Sequence, residues 1–364
     1  MSSGKKNRLI SRRLVLRALW IVFFAAAWRY QWIWQVFLFF VLAFSYLVYR
    51  QDRILYVSAL NGEPRKNSSN ARLMRSPGEW KMPFEELMLK TRDNVNIHCW
   101  LMTQPDFDLQ RRVPTMLCLH GNVGNIGQRL HNWAGFFYNL RYNLLVLEYR
   151  GYGESEGTPS EEGLVLDAVA GLEFLANHKH LDKDQIVIFG CSLGGAVAIA
   201  LGASKLPVTK HISGVIVENT FLSVLHMAGR VFLPLRLFPR ALLRPFLRSQ
   251  WSNYHSIGRV RAPVLFLCST KDGVVGQGQM KALYKRACER DGKWLKGREP
   301  KDCQRIEFFE AGHDDIFLKE PAKYYLAVGR FVSSLTKDGN GSFARLLMSE
   351  SKVREPILSS GPLF

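Results

Sequence analysis

The chain has 364 residues, 47% hydrophobic and 22% charged, which allows a large buried core and excludes an intrinsically disordered protein. Its formal net charge of +18 raises the question of nucleic acid, but much of the excess sits in two stretches. The N-terminal tail carries Lys5, Lys6, Arg8, Arg12, Arg13 and Arg17, and residues 221–261 hold seven arginines and no acid. Neither has zinc-finger, helix-turn-helix or RNP spacing, so no nucleic-acid partner is expected; a membrane surface or an anionic substrate accounts for the charge.

In chain order, residues 1–31 form a basic tail with a short apolar segment, 18–28, that is interrupted by Arg29-Tyr30-Gln31. Residues 32–49 follow without a charge; at 1.5 Å per residue they reach about 27 Å, close to the hydrocarbon thickness of a bilayer. Trp28, Tyr30, Trp32 and Trp34 gather at one end and Tyr46 and Tyr49 at the other, as interfacial anchors do. A transmembrane helix is therefore expected at 32–49, and membrane lipids are expected partners. Basic residues of the whole tail favour a cytosolic N-terminus with the large domain lumenal or extracellular, whereas the flanks nearest the span almost balance. A membrane hairpin with residues 29–31 at its tip, keeping the domain cytosolic, is the alternative.

Residues 50–83 read as a polar linker with one short strand at 54–57. The core domain, 84–337, opens with a hairpin of strands 84–90 and 96–103. Strands at 115–119, 143–148, 185–189, 214–218, 263–268 and 304–309 then alternate with helices at 127–140, 160–177, 193–204, 277–290 and 319–335. This spacing predicts an α/β fold with a mostly parallel sheet covered by helices on both faces. Residues 338–364 are expected to be a flexible tail.

Strand 185–189 empties into Gly190-Cys191-Ser192-Leu193-Gly194, followed by a helix of small residues. In this G-x-S-x-G turn only glycine fits beside the serine, so Ser192 Oγ would stand clear of the sheet as a nucleophile. Asp272 follows strand 263–268 and His313 follows strand 304–309, beside Gly312; they are the candidate orienting acid and base, in the chain order Ser, Asp, His. Glu218, at the end of its own strand, is a competing acid. For the oxyanion hole, Leu193 N–H is one expected donor. The glycine-rich turn His120-Gly-Asn-Val-Gly-Asn125 supplies the other, with Asn122 the first choice and Val123 the second. This chemistry needs no metal and no organic cofactor.

Six cysteines show no C-x-x-C pair, so neither a zinc site nor a thioredoxin-like motif is expected. Cys99, Cys118, Cys191 and Cys268 lie in or beside predicted strands as small buried hydrophobes. Cys288 and Cys303 flank a basic insertion, 291–302, and are a disulfide candidate in an oxidising compartment. Asn67 and Asn340 head sequons and are glycosylation candidates.

Residues 221–261 lie where a cap would cover the site. Arg236, Arg240, Arg244 and Arg248 recur every fourth residue, but Pro239 and Pro245 forbid one uninterrupted helix, so two short amphipathic pieces are expected. An apolar, cationic cap suits an acyl chain with an anionic head group, such as a lysophospholipid, or an acyl thioester; a solvated arginine face is the plainer alternative.

His120-Gly-Asn-Val-Gly-Asn-Ile-Gly127, Tyr149-Arg-Gly-Tyr-Gly-Glu-Ser-Glu-Gly157, Ser160-Glu-Glu-Gly-Leu164, Ser192-Leu-Gly-Gly-Ala-Val-Ala198 and Val217-Glu-Asn-Thr-Phe-Leu-Ser223 together resemble the BEM46-like α/β-hydrolases. The resemblance covers most of residues 84–335. It implies an α/β-hydrolase fold with a Ser192–Asp272–His313 triad and a single signal-anchor segment, hence a type II orientation. Cys191 stands where the family pattern has arginine, and Gly-Val-Val-Gly after Asp272 lacks the usual prolines, which bears on substrate preference. The expectation is a membrane-anchored serine hydrolase acting on a carboxylic ester or thioester through an acyl-enzyme. A silent membrane-tethered scaffold, a serine peptidase and an acyltransferase are the alternatives.

Overall fold

The computed structural model describes residues 3–59, 64–231, 239–289 and 302–335, in two compact units, Met1–Gln51 and Asp52–Phe364. Asn340, Arg236 and most of the 291–302 insertion lie outside the described residues.

The first unit contains the helix Ser3–Arg29, a break at Tyr30, and most of the helix Gln31–Leu55. Among the described residues, only Gln31–Leu55 is long and apolar enough to cross a membrane, and it contains the expected 32–49 span. It also overturns the strand expected at 54–57. Arg50, Gln51 and Arg53 are good helix formers, and the helix runs on through Ile54 and Leu55. Tyr56 N–H still bonds Asp52 O at 2.8 Å, and Val57 alone makes a parallel bridge, to Val123.

The second unit is built on one eight-stranded sheet: β1 (Phe84–Lys90), β2 (Asn96–Met102), β3 (Thr115–Leu119), β4 (Asn143–Leu147), β5 (Ile186–Cys191), β6 (Ile212–Glu218), β7 (Val264–Ser269) and β8 (Cys303–Phe308). Its order is β1-β2-β4-β3-β5-β6-β7-β8. The pairs β1/β2 and β2/β4 are antiparallel and the rest parallel. A parallel sheet needs crossover connections that cover both faces, so its inner strands β3 to β7 are largely apolar, whereas the edge strand β8 carries Gln304, Arg305 and Glu307. Leu117, Leu119, Ile186, Ile188, Val215 and Val217 pack to one side with the helices Glu161–Asn177 and Leu193–Ala203. Met116, Cys118, Val187, Phe189 and Ile216 point to the other, onto Leu130–Asn139 and Pro321–Ser333.

Local chemistry sets the helix ends. Ser160 caps Glu161–Asn177 by accepting Gly163 N–H at 3.0 Å. The helix expected at 319–335 is divided into Ile316–Lys319 and Pro321–Ser333, because proline is tolerated in a first helical turn and not in an interior. Among the described residues, the cap region contains Val224–Val231, Arg240–Leu243, a 3-10 turn at Arg244–Phe246 and Asn253–Ile257, with Pro239 and Pro245 at breaks between pieces.

Candidate active site

β5 passes into Leu193–Ala203 with Ser192 as the only residue between. Ser192 has φ 50 and ψ −115, in the left-handed half of backbone space that a residue with a Cβ rarely enters. Bonds to its backbone hold it there. Its N–H donates to Glu218 O at 2.8 Å, and its carbonyl accepts Thr220 Oγ1 at 2.8 Å and Gly195 N–H at 3.1 Å. A Cβ on Gly194 would overlap the Leu119 carbonyl, and one on Gly190 the Gly194 carbonyl, so neither glycine can carry a side chain.

The ends of β7 and β8 bring two further side chains to this turn. His313 Nε2 lies 3.0 Å from Ser192 Oγ, and His313 Nδ1 lies 2.9 Å from Asp272 Oδ2. Asp272 is 7% exposed, and its Oδ1 accepts the Val274 and Val275 N–H groups at 2.8 and 2.9 Å. An ionised carboxylate only accepts, so Nδ1 must be the donor and, in neutral imidazole, Nε2 the acceptor of the serine hydroxyl. Burial pulls the His313 pKa down, but the bond to Asp272 and the charges of Asp314, Asp272 and Glu218 leave it above the ordinary 6.5. Burial pushes Asp272 up, but His313 and the two loop amides leave it below the usual carboxylate range.

Glu218 does not share the imidazole. Its carboxylate, fully buried, accepts Arg129 Nη2 at 2.8 Å and the Tyr324 hydroxyl at 2.7 Å. The competing acid is thus a structural ion pair under the site. The Cys191 thiol is fully buried beside Arg129, and burial pushes its pKa up to about 12; it is poorly placed to compete as a nucleophile.

The turn after β3 runs alongside the serine: a Cβ built on Gly121 would lie 3.8 Å from Ser192 Cβ. Among the described residues, the backbone N–H groups of Leu193, Asn122 and Val123 have no hydrogen-bond acceptor. Asn122 is the most firmly held, its carbonyl accepting Val57 N–H at 3.1 Å and the Tyr152 hydroxyl at 3.0 Å. A surface hollow of about 500 Å³ bordered by Lys90, Glu173 and His178 contains none of these groups.

Some positioning groups had no sequence signal of their own. Asn219 donates to His313 O at 2.7 Å and exchanges bonds with Ser269, so it fixes the histidine loop to β7. Arg230, from the cap, donates to Gly273 O and Val274 O at 3.0 and 2.7 Å, bracing the loop of Asp272. Asn219 could have been noticed only as part of the Glu218-Asn-Thr segment; nothing marks Arg230 among the cap arginines.

The two modification candidates have contrasting surroundings. Asn67 is 3% exposed; its Nδ2 donates to Glu148 Oε2 at 2.8 Å and its Oδ1 accepts Gly127 N–H at 3.2 Å. The folded domain has no room for a glycan on that nitrogen. Cys288 is exposed at the end of its helix and is hydrogen-bonded with Tyr284, and Cys303 is half-buried at the start of β8.

Residues 114–241 match the family model of the alpha/beta hydrolase fold. Among characterised and uncharacterised relatives, the chain is 37% identical to protein bem46 of Schizosaccharomyces pombe over 67% of this chain and 77% of that one. It is 34% identical to alpha/beta hydrolase domain-containing protein WAV2 of Arabidopsis thaliana, over 77% and 86%. An uncharacterised membrane protein of Saccharomyces cerevisiae is 31% identical, over 75% and 86%. Of solved structures, the Pyrococcus furiosus esterase Pf2001 superposes with TM-score 0.56 at 19% identity, covering 75% of this chain and 98% of the esterase; a likeness at that identity is one of fold. The relatives and the sheet agree: the chain belongs to the BEM46-like family of α/β-hydrolases.

Proposed function

We propose that this protein is a membrane-anchored serine hydrolase that cleaves a carboxylic ester or thioester through an acyl-enzyme on Ser192. The observation that carries the reading is the continuous chain Ser192 Oγ, His313 Nε2, Nδ1 and Asp272 Oδ2, with links of 3.0 and 2.9 Å. His313 takes the hydroxyl proton as Ser192 Oγ attacks the acyl carbon, then gives it to the leaving alcohol or thiol. A water, deprotonated by the same nitrogen, releases the acid. Asp272 stabilises the imidazolium and fixes its tautomer. The Leu193 and Asn122 amides are the fixed donors for the oxyanion, which costs no reorganisation when charge develops.

A lipid-like acyl substrate is supported by the cap, where Leu242 and Phe246 are 62% and 49% exposed within an arginine-rich stretch. The apolar helix Gln31–Leu55 supports the anchor, and the basic N-terminal tail supports a lumenal or extracellular domain. The test is trapping of the intermediate. Full-length protein mixed with p-nitrophenyl butyrate and quenched at low pH should release a burst of p-nitrophenol near one equivalent, with the butyryl mass on the Ser192 peptide. A linear release with no acylated peptide would refute the covalent route.

A further inference from the structure

The last turn of the apolar helix, Asp52–Leu55, and the two residues after it are bonded to the turn after β3 and to the cap. Leu55 O accepts Asn122 Nδ2 at 3.0 Å. Val57 donates its N–H to Asn122 O and accepts Gly124 N–H, both at 3.1 Å. The only main-chain bridge outside the sheet thus joins Val57 to Val123, among the described residues. On the cap side, the Tyr56 hydroxyl lies 2.8 Å from Ser249 Oγ and accepts Trp251 Nε1 at 3.1 Å; the three side chains are 5%, 4% and 1% exposed. Asp52 accepts Arg248 Nη1 at 2.8 Å.

These contacts have a direction. A glycine-rich turn has many conformations of similar energy, and an oxyanion donor is useful only when its N–H is aimed before charge develops. Within the turn, Gly124 has φ +74, and its other neighbours do not form a sheet. Three bonds from Leu55 and Val57, to the Asn122 side chain, the Asn122 carbonyl and the Gly124 N–H, remove that freedom from the turn on the carboxyl side of the Asn122 amide. Four of the six residues are the last turn of the apolar helix, and Tyr56 and Val57 follow it directly.

We infer that Asp52–Val57 is a positioning strap, not a tether: it sets the Asn122 donor for catalysis and ties that donor to the cap. This rests on reading Asn122 as an oxyanion donor in a serine hydrolase. The strap residues touch no reacting atom; they act through Asn122 and through Ser249 and Trp251. Activity therefore depends on the last turn of the apolar helix and the two residues after it being intact.

The test uses the full-length protein in detergent micelles, p-nitrophenyl butyrate as substrate and an alkylboronic acid as a probe of the tetrahedral oxyanion. Val57→Pro removes the N–H that bonds Asn122 and leaves the side chain apolar; Val57→Ala keeps the bond. The strap predicts that Val57→Pro lowers kcat about 10- to 100-fold with KM within threefold, and weakens the boronic acid by a similar factor, a fraction of what loss of a whole donor does. Val57→Ala should stay within twofold of wild type. Wild-type kcat and boronic-acid affinity in folded Val57→Pro would overturn the strap. If Val57→Pro does not fold, Asn122→Ala decides, since it severs the bond to Leu55 while keeping the main-chain amide: a fall in kcat at constant KM supports the strap and wild-type kcat refutes it. An inert wild type would defeat the hydrolase reading alone. Amide exchange at Asn122–Gly124 would then judge the strap, faster exchange in the variant supporting it and unchanged exchange overturning it.

Discussion

His313 Nε2 stands 3.0 Å from Ser192 Oγ although 121 residues separate them in the chain. The sheet makes the meeting possible: β5 and β8 end on the same edge, with β6 and β7 between them, and ligands of open α/β sheets bind at that carboxyl edge.

The pH dependence follows from the state of that imidazole. Only neutral His313 accepts the serine proton, so activity must fall as pH drops through its folded pKa. That pKa is held above 6.5 by Asp272, Asp314 and Glu218 against the opposing effect of burial. The acid limb of kcat/KM is therefore expected to have its midpoint above 6.5. Asp272→Asn removes the charge and favours the wrong tautomer; kcat should fall by about 10⁴, with the residual acid limb moved to lower pH. A pH–rate profile of both proteins measures this.

On the proposed mechanism Glu218 is a structural carboxylate and Asp272 the orienting one. Glu218→Gln leaves the buried Arg129 guanidinium without its counter-charge, and unpairing a buried ion pair costs about 3–5 kcal/mol. The expected outcome is a lowered Tm with kcat per folded molecule within a few-fold of wild type. Thermal unfolding and active-site titration together check it; a 10⁴-fold loss of kcat at unchanged Tm would make Glu218 the orienting acid instead.

Legibility in the sequence followed the range of the interaction. Ser192 was visible because the constraint is local: the Leu119 and Gly194 carbonyls leave no space for a side chain at Gly194 and Gly190, so the pattern is written in consecutive residues. Asp272 and His313 were visible because strand ends in a parallel sheet are few. The burial of Asn67 was not legible, because three residues of a sequon carry no information about burial, and Glu148, which binds that side chain, is 81 positions away. The strap was invisible for the same reason. Leu55 and Val57 read as linker or strand, and their partners at Asn122 and Gly124 are known only once the turn after β3 is in place.

The buried Asn67 makes its own prediction. In an Asn340→Gln background, treatment with an N-glycosidase should leave the electrophoretic mobility unchanged. Asn67→Ala should destabilise the domain by about 1–2 kcal/mol, since two buried bonds are lost while Gly127 N–H keeps Asn125 Oδ1 and Glu148 keeps His98 Nδ1 and two amides.

The most direct test of the account is fluorophosphonate labelling of the full-length protein in membranes, comparing wild type with Ser192→Ala and His313→Ala. The geometry predicts labelling of wild type, none in Ser192→Ala, and a loss of several orders of magnitude in His313→Ala. Folded wild type that resists the reagent, or labelling that persists in Ser192→Ala, would contradict it.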